Sequence, residues 1–173
     1  FGIVEIFKDR NEFRIMALVK ATMMMELAGK FAAPAPDPMK PGKDIAKAYK
    51  NYLLMGMNAG GFPASAVTGA QPAGLGMGGV FAQQLPVGAA IGSQIATQLT
   101  TMALSFMSGQ QIGPPVAAPS HTPQLIQLFS GPQPTSLQFA KELAGILDTW
   151  TKTWVVSGLI PGAPPVPFSG PLS

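Results

Sequence analysis

The sequence predicts a mainly α protein, with three to four amphipathic helices joined by long Gly/Pro-rich irregular connectors and with extended N- and C-terminal arms. Three observations lead there. Apolar residues recur at spacings of three and four in several separate segments, which places them on one face of a helix. Gly and Pro, 20 and 18 of 173 residues, cluster between those segments. The chain is also 47% hydrophobic, too apolar to stay unfolded for want of burial. A length of 173 residues suits a single domain, 1–173, with one core of modest size.

Residues 1–8, "FGIVEIFK", are β-branched and aromatic and read as an N-terminal arm or short strand. Residues 12–56 read as a helical hairpin. Its first helix covers residues 12–31, where Ile15, Val19, Met23 and Leu27 recur every four residues. The "MMM" run at 23–25 cannot all face one core, so at least one of these methionines is expected outside it. The "AAPAPDPMKPG" segment ends the helix, because each proline lacks an N–H and biases the residue before it away from helix. The second helix covers residues 43–55, with Ile45, Tyr49, Tyr52 and Leu53 on one side, Lys43, Lys47 and Lys50 on the other, and Gly56 at its end. The lysines read as a solvated face. Residues 57–84 are rich in Gly and Ala, carry no charge, and read as an irregular connector.

Residues 86–156 form the larger helical part. Between Pro86 and Gly109, Val87, Ile91, Ile95, Leu99, Met102 and Phe106 mark an apolar stripe, opposite Gln94, Thr97, Gln98, Thr101 and Ser105. A short helix follows in "HTPQLIQLFSG", with Thr122 as cap, Pro123 in the first turn and Gly131 at the end. In the last helix Thr135 and Gln138 have the spacing of a capping box, and Phe139, Leu143, Ile146, Leu147, Trp150 and Trp154 form the stripe. Residues 157–173 contain five prolines, which predict an extended, partly polyproline-like C-terminal arm. Its Leu159, Ile160, Val166, Phe168 and Leu172 are what an arm needs to lie in a neighbour's groove.

No catalytic, cofactor-binding or metal-binding residues are expected. Residues 74–79, "GLGMGG", match G-x-G-x-x-G, but no apolar strand precedes them and the next acid is Glu142, so the ribose-binding carboxylate of a dinucleotide fold is missing. His121 is the only histidine and has no triad-like spacing around it, so it reads as a loop residue ahead of a helix cap. The chain has no cysteine, and its carboxylates are scattered, which leaves no metal-ligand cluster. Trp150 and Trp154 stand at helical spacing and read as core or interface anchors. An enzyme with a small-molecule substrate is therefore not expected.

Charge distribution points to partners instead. Charged residues make up 11% of the chain, against about 25% in an ordinary soluble domain. The net charge of +3 arises in residues 1–50, which hold nine Lys/Arg and six Asp/Glu, too mixed to form a nucleic-acid footprint. From Asn51 to Ala140 only His121 can titrate. A stretch that neutral needs cover from other chains or from lipid. Residues 85–107 are long enough for a bilayer, which gives an alternative reading as a subunit of a multi-helix membrane complex. Against it, the Gln and Thr side chains would need partners in lipid, and flanking Lys/Arg are absent. The favoured expectation is a neutral interface: Gln94, Thr97, Gln98 and Thr101 toward an adjacent subunit, with Trp150, Trp154 and the apolar tail residues as further contacts.

The amphipathic N-terminal helix, the segment "GKDIAKAYKNYLLMGMNAGG", the neutral Gly/Ala-rich middle and the tryptophan-bearing helix before a Pro/Gly tail resemble small virion structural proteins of tailed bacteriophages. The similarity spreads over residues 12–173. It implies a copy-repeated component of a tail, baseplate, neck or capsid, located in the virion, whose partners are copies of itself and other virion proteins. It also implies no enzymatic role and no cofactor.

Overall fold

The computed structural model describes residues 19–83, 88–117, 121–132 and 135–173. Among them are six helices and four short strands: α1 (Val19–Phe31), α2 (Lys40–Leu53), β1 (Ala64–Val67), α3 (Ala70–Ala82), α4 (Gly88–Leu104), β2 (Phe106–Ser108), α5 (His121–Ser130), α6 (Ser136–Thr151), β3 (Val155–Ile160) and β4 (Val166–Pro171). The protein is mainly helical, as its periodicity predicts. The expected arm at 1–8 and the first turns of the expected helix at 12–31 lie outside the described residues.

The principal helix contacts run α1 to α2, α2 to α3, α3 to α4, α4 to α5 and α5 to α6, and α6 returns to α1. The helices thus form a ring in chain order. Each helix buries its stripe against its sequence neighbour, even where β1 or β2 lies in the link between them. Inside the ring lie Leu27, Ile45, Tyr49, Leu53, Met77, Ile95, Leu99, Leu125, Leu143, Leu147 and Trp154. Two aromatic contacts tie distant elements together: Tyr49 of α2 meets Trp154 edge-on at 6.4 Å, and Phe106 of β2 meets Trp154 at 6.1 Å. Met25 projects outward while Met23 is buried, as the methionine run requires.

In the expected connector 57–84, the described residues 57–83 are not irregular. They hold β1 and α3, and the glycines are the reason α3 packs where it does. Gly74 and Gly78 stand four residues apart on the face turned toward Gly42 of α2. A Cβ on Gly42 would overlap the Gly78 backbone, and one on Gly78 would lie 2.7 Å from the Met39 carbonyl oxygen. Each helical glycine costs about 1 kcal/mol relative to alanine. Here the loss is offset by backbone-to-backbone contact that no larger residue permits. The same device recurs in α4, where Gly88 and Gly92 abut the Phe129 and Ile126 backbone of α5.

Four further boundaries differ from the sequence reading. The expected helix across 86–109 ends at Leu104, and Phe106 joins β2, which pairs antiparallel with β1. His121 lies within α5, not in a loop ahead of it, and Thr122 is inside that helix. Helix α2 begins at Lys40, with Pro41 in its first turn, where a missing N–H is harmless. Residues 157–173 are not an extended arm: β3 and β4 form an antiparallel hairpin that pairs Val155 with Pro171 and Ile160 with Val166. Its inner face buries Val156, Phe168 and Leu172. The Thr135 cap is as expected, its hydroxyl accepting from the Gln138 N–H at 3.1 Å. The Gln138 amide, however, donates to Glu142 at 3.0 Å and so does not complete the box.

Candidate functional site

Hydroxyl, phenol and carboxylate groups inside the ring are held by one another, whereas the buried Trp154 Nε1 has no partner among the described residues. The Thr151 hydroxyl donates to the Leu147 carbonyl at 2.7 Å, so the Tyr49 hydroxyl, 2.7 Å away, donates to Thr151. The Tyr52 hydroxyl donates to Asp148 Oδ1 at 2.7 Å, and Lys152 Nζ donates to Asp148 Oδ2 at 2.9 Å. Burial raises the Tyr49 pKa well above its ordinary value. Burial, reinforced by the bond to the Asp148 carboxylate and by its charge, raises Tyr52 likewise. Both phenols therefore remain protonated donors and offer neither a base nor a nucleophile. A groove of about 330 Å³ opens beside this cluster, lined by Lys20, Met55, Lys152 and Leu172 among others.

His121 stacks on the Trp150 indole, with ring centroids 3.6 Å apart. Its Nε2 lies 3.2 Å from the Ala96 carbonyl oxygen, which can only accept, so Nε2 carries the proton. Nδ1 then bears the lone pair and has no partner among the described residues. Burial pulls the His121 pKa down, partly opposed by the Ala96 bond. The ring forms part of the floor of a groove of about 590 Å³ that also takes in Gln124, Gln127, Glu142 and Thr149. Glu142 accepts from Gln138, and among the described residues no carboxylate is hydrogen-bonded to the imidazole, so they assemble no acid–base pair.

"GLGMGG" is part of α3, where Gly74 and Gly78 serve the crossing with α2 and Gly76 makes room for the Gln98 side chain. Among the described residues no three His, Cys, Asp or Glu side chains gather to hold a metal ion. Lys43, Lys47 and Lys50 line an open groove of about 470 Å³ together with Gln71 and Leu75, and Lys43 lies 3.6 Å from Asp37.

The residues expected at an interface divide into two groups. Gln94, Thr97 and Thr101 are exposed on α4, and Gln98 is half-buried. The Thr97 and Thr101 hydroxyls each donate to a carbonyl of their own helix at 3.1 Å, so covering them strands no donor. Trp150, Trp154, Phe168 and Leu172 are buried in the chain's own core and cannot serve a neighbour in this fold. The five prolines of residues 157–173 predicted an extended arm, but a hairpin returns the tail onto the ring. Leu159, Ile160 and Val166 remain exposed.

Around Leu159 the structure assembles a surface that the sequence reading missed. β3 pairs with β4 on one side and with residues 110–116 on the other. The Val155 N–H donates to the Val116 carbonyl and the Val116 N–H to the Val155 carbonyl, both at 2.9 Å; the Ile112 N–H donates to the Ser157 carbonyl at 2.8 Å. Cross-strand partners share a face, so Val155, Ser157, Leu159, Pro167, Ser169, Pro171 and Val116 all look outward. Val116 is 73% and the adjoining Ile112 62% exposed. No charged residue occurs in 104–117 or 153–173. At its centre the Ser157 and Ser169 hydroxyls share one hydrogen bond of 2.9 Å. The β-branched Val155, Val156 and Ile160 were the available signal, masked by the prolines around them.

No helix among the described residues is long and apolar enough to cross a membrane. The candidate span is broken at Leu104, where the helix ends and the chain turns into β2. No protein-family model, curated protein or solved structure matches the chain.

Proposed function

We propose that this protein is a structural subunit of a large multi-chain assembly, acting through neutral protein–protein contacts and not through chemistry. The resemblance stated above makes a bacteriophage virion the assembly in view, with copies of the chain and other virion proteins as partners in a tail, baseplate, neck or capsid. One observation carries the reading: large apolar side chains stand exposed on a sheet end that bears no charge, while the buried hydroxyl, phenol and carboxylate groups are committed to one another. The exposed α4 face adds a second neutral surface whose threonine hydroxyls are already satisfied.

Sedimentation velocity of the isolated chain in plain buffer, over a range of concentrations, tests this. Concentration-dependent oligomers are expected. A compact monomer at every concentration, with rapid amide exchange on the surface of residues 51–140, would refute it.

A further inference from the structure

We infer that the groove of about 330 Å³ between the end of α2, the end of α6 and residues 172–173 binds a small monoanion with an apolar body, a medium-chain carboxylate. This goes beyond the assembly reading and does not depend on it. The ligand is held, and no bond in it is made or broken.

Hydrogen-bond accounting sets the sign of the ligand. The carbonyls of Tyr52, Leu53, Gly56, Met57 and Thr151, around the groove, already accept main-chain N–H groups. The Asp148 carboxylate takes Tyr52 on one oxygen and Lys152 on the other. The ammonium donors are less committed. Lys152 is exposed and its one ion pair is with Asp148, while Lys20 is exposed and in no ion pair among the described residues. Lys20 also borders the larger groove beside His121, yet Glu142 there is not within ion-pair distance of it. A ligand therefore meets open donors and engaged acceptors, and must bring acceptors of its own. Two ammoniums against one carboxylate leave a single positive charge uncompensated, which a monoanion matches. A phosphomonoester would bring about 1.5 to 2 negative charges against it.

The remaining walls set the body of the ligand. Leu53 and Leu172 are buried, whereas Met55 and Met57 are 41% and 38% exposed. Unbranched thioether side chains adapt to the shape of an apolar guest, and methionine is over-used on surfaces that bind varied ligands. The volume lies at the low end of small-molecule sites, about 300–1,000 Å³, and suits a short aliphatic chain. An exposed ion pair contributes little affinity, so burial of the chain against the methionines and Leu172 supplies most of it and the lysines supply the preference for an acid. A bound carboxylate would bridge α1 and α6 at Lys20 and Lys152, and its chain would tie residues 172–173 to the end of α2.

The test titrates octanoate into the full chain, with isotope-labelled methionine methyls read by NMR. The Met55 and Met57 resonances should shift to saturation with one dissociation constant, on the order of 0.1–1 mM, while Met107, exposed on β2, stays in place. Octanol, which has the same chain and no charge, should bind at least about five-fold more weakly, and octylamine more weakly still. Lys20→Gln should weaken octanoate about three- to five-fold and leave octanol unchanged, with an unaltered circular dichroism spectrum. Octanol that matches octanoate, shifts that reach Met107 without saturating, or an unchanged affinity in Lys20→Gln each overturns the site. If Lys20→Gln disturbs the fold, Met55→Asp, which sets a like charge beside the ligand, decides by the same octanoate-to-octanol comparison. Oligomers in sedimentation without octanoate binding overturn this site and leave the assembly reading standing; binding to a chain that stays monomeric does the reverse.

Discussion

Two regions of this molecule are built from residues usually associated with disorder, and they use them in opposite ways. Around residues 69–92 the material is glycine, and it buries backbone against backbone: Gly78 on Gly42, Gly74 on Lys43, Gly92 on Ile126. Around 110–116 and 155–171 the material is proline, and it closes strand edges while leaving a face bare. Removing a side chain lets helices approach; removing an N–H keeps strands away. A single composition class, Gly/Pro-rich and uncharged, therefore yields one region that is all contact and one that is all surface.

The most severe way to break this contrast is Gly42→Leu. Its Cβ would enter the Gly78 backbone, which cannot yield as a side chain can, so the α2–α3 crossing should open at a cost of at least about 3 kcal/mol, read as a lowered urea midpoint. Next comes Asn58, which holds the loop before β1: its amide donates to Ser108 and Gly109, and its carbonyl accepts from Gly60 and Phe62. Asn58→Ala should cost about 2–3 kcal/mol in the same measurement, because several buried groups lose their partner together. Gly79, although on the same helix as Gly78, has nothing near its missing side chain. Gly79→Ala should therefore stabilise by about 0.5–1 kcal/mol, and a loss would show that the glycine face of α3 is wider than the crossing. Smallest in folding energy is Pro167→Thr/Pro171→Thr, expected to change stability by less than about 0.5 kcal/mol. Its effect should appear as β-rich aggregation on standing, since both edge donors are restored.

His121 provides a pH-dependent comparison between ring and sheet. Its pKa in the fold lies below its ordinary value of 6.5, so the unfolded chain binds a proton more readily. The stability it confers is complete above about pH 6.5 and declines as pH falls from there toward the lowered pKa in the fold. Thermal midpoints followed through this window should fall for wild type and fall less for His121→Phe, which keeps the stack on Trp150.

Much of the fold is legible in the sequence. The stripes Met23–Leu27, Ile45–Tyr49–Tyr52 and Leu143–Leu147–Trp150 are buried as their spacing requires, and Thr135 caps α6. Helix α3 was missed because glycine counts as a breaker in any propensity argument, although Ala70, Gly74 and Gly78 recur at intervals of four, as close helix packing demands. The sheet was missed because its prolines argue against strands until their positions on an outer edge are known.

By itself, then, the sequence determined which residues face inward along each helix, where charge could and could not lie, and that no cysteine chemistry exists, because periodicity and composition are local properties. Only the tertiary structure decided whether a glycine breaks or packs, whether Trp154 and Leu172 serve the core or a neighbour, and which apolar residues share one exposed face. Each of those depends on what lies opposite in space, and the sequence does not record that.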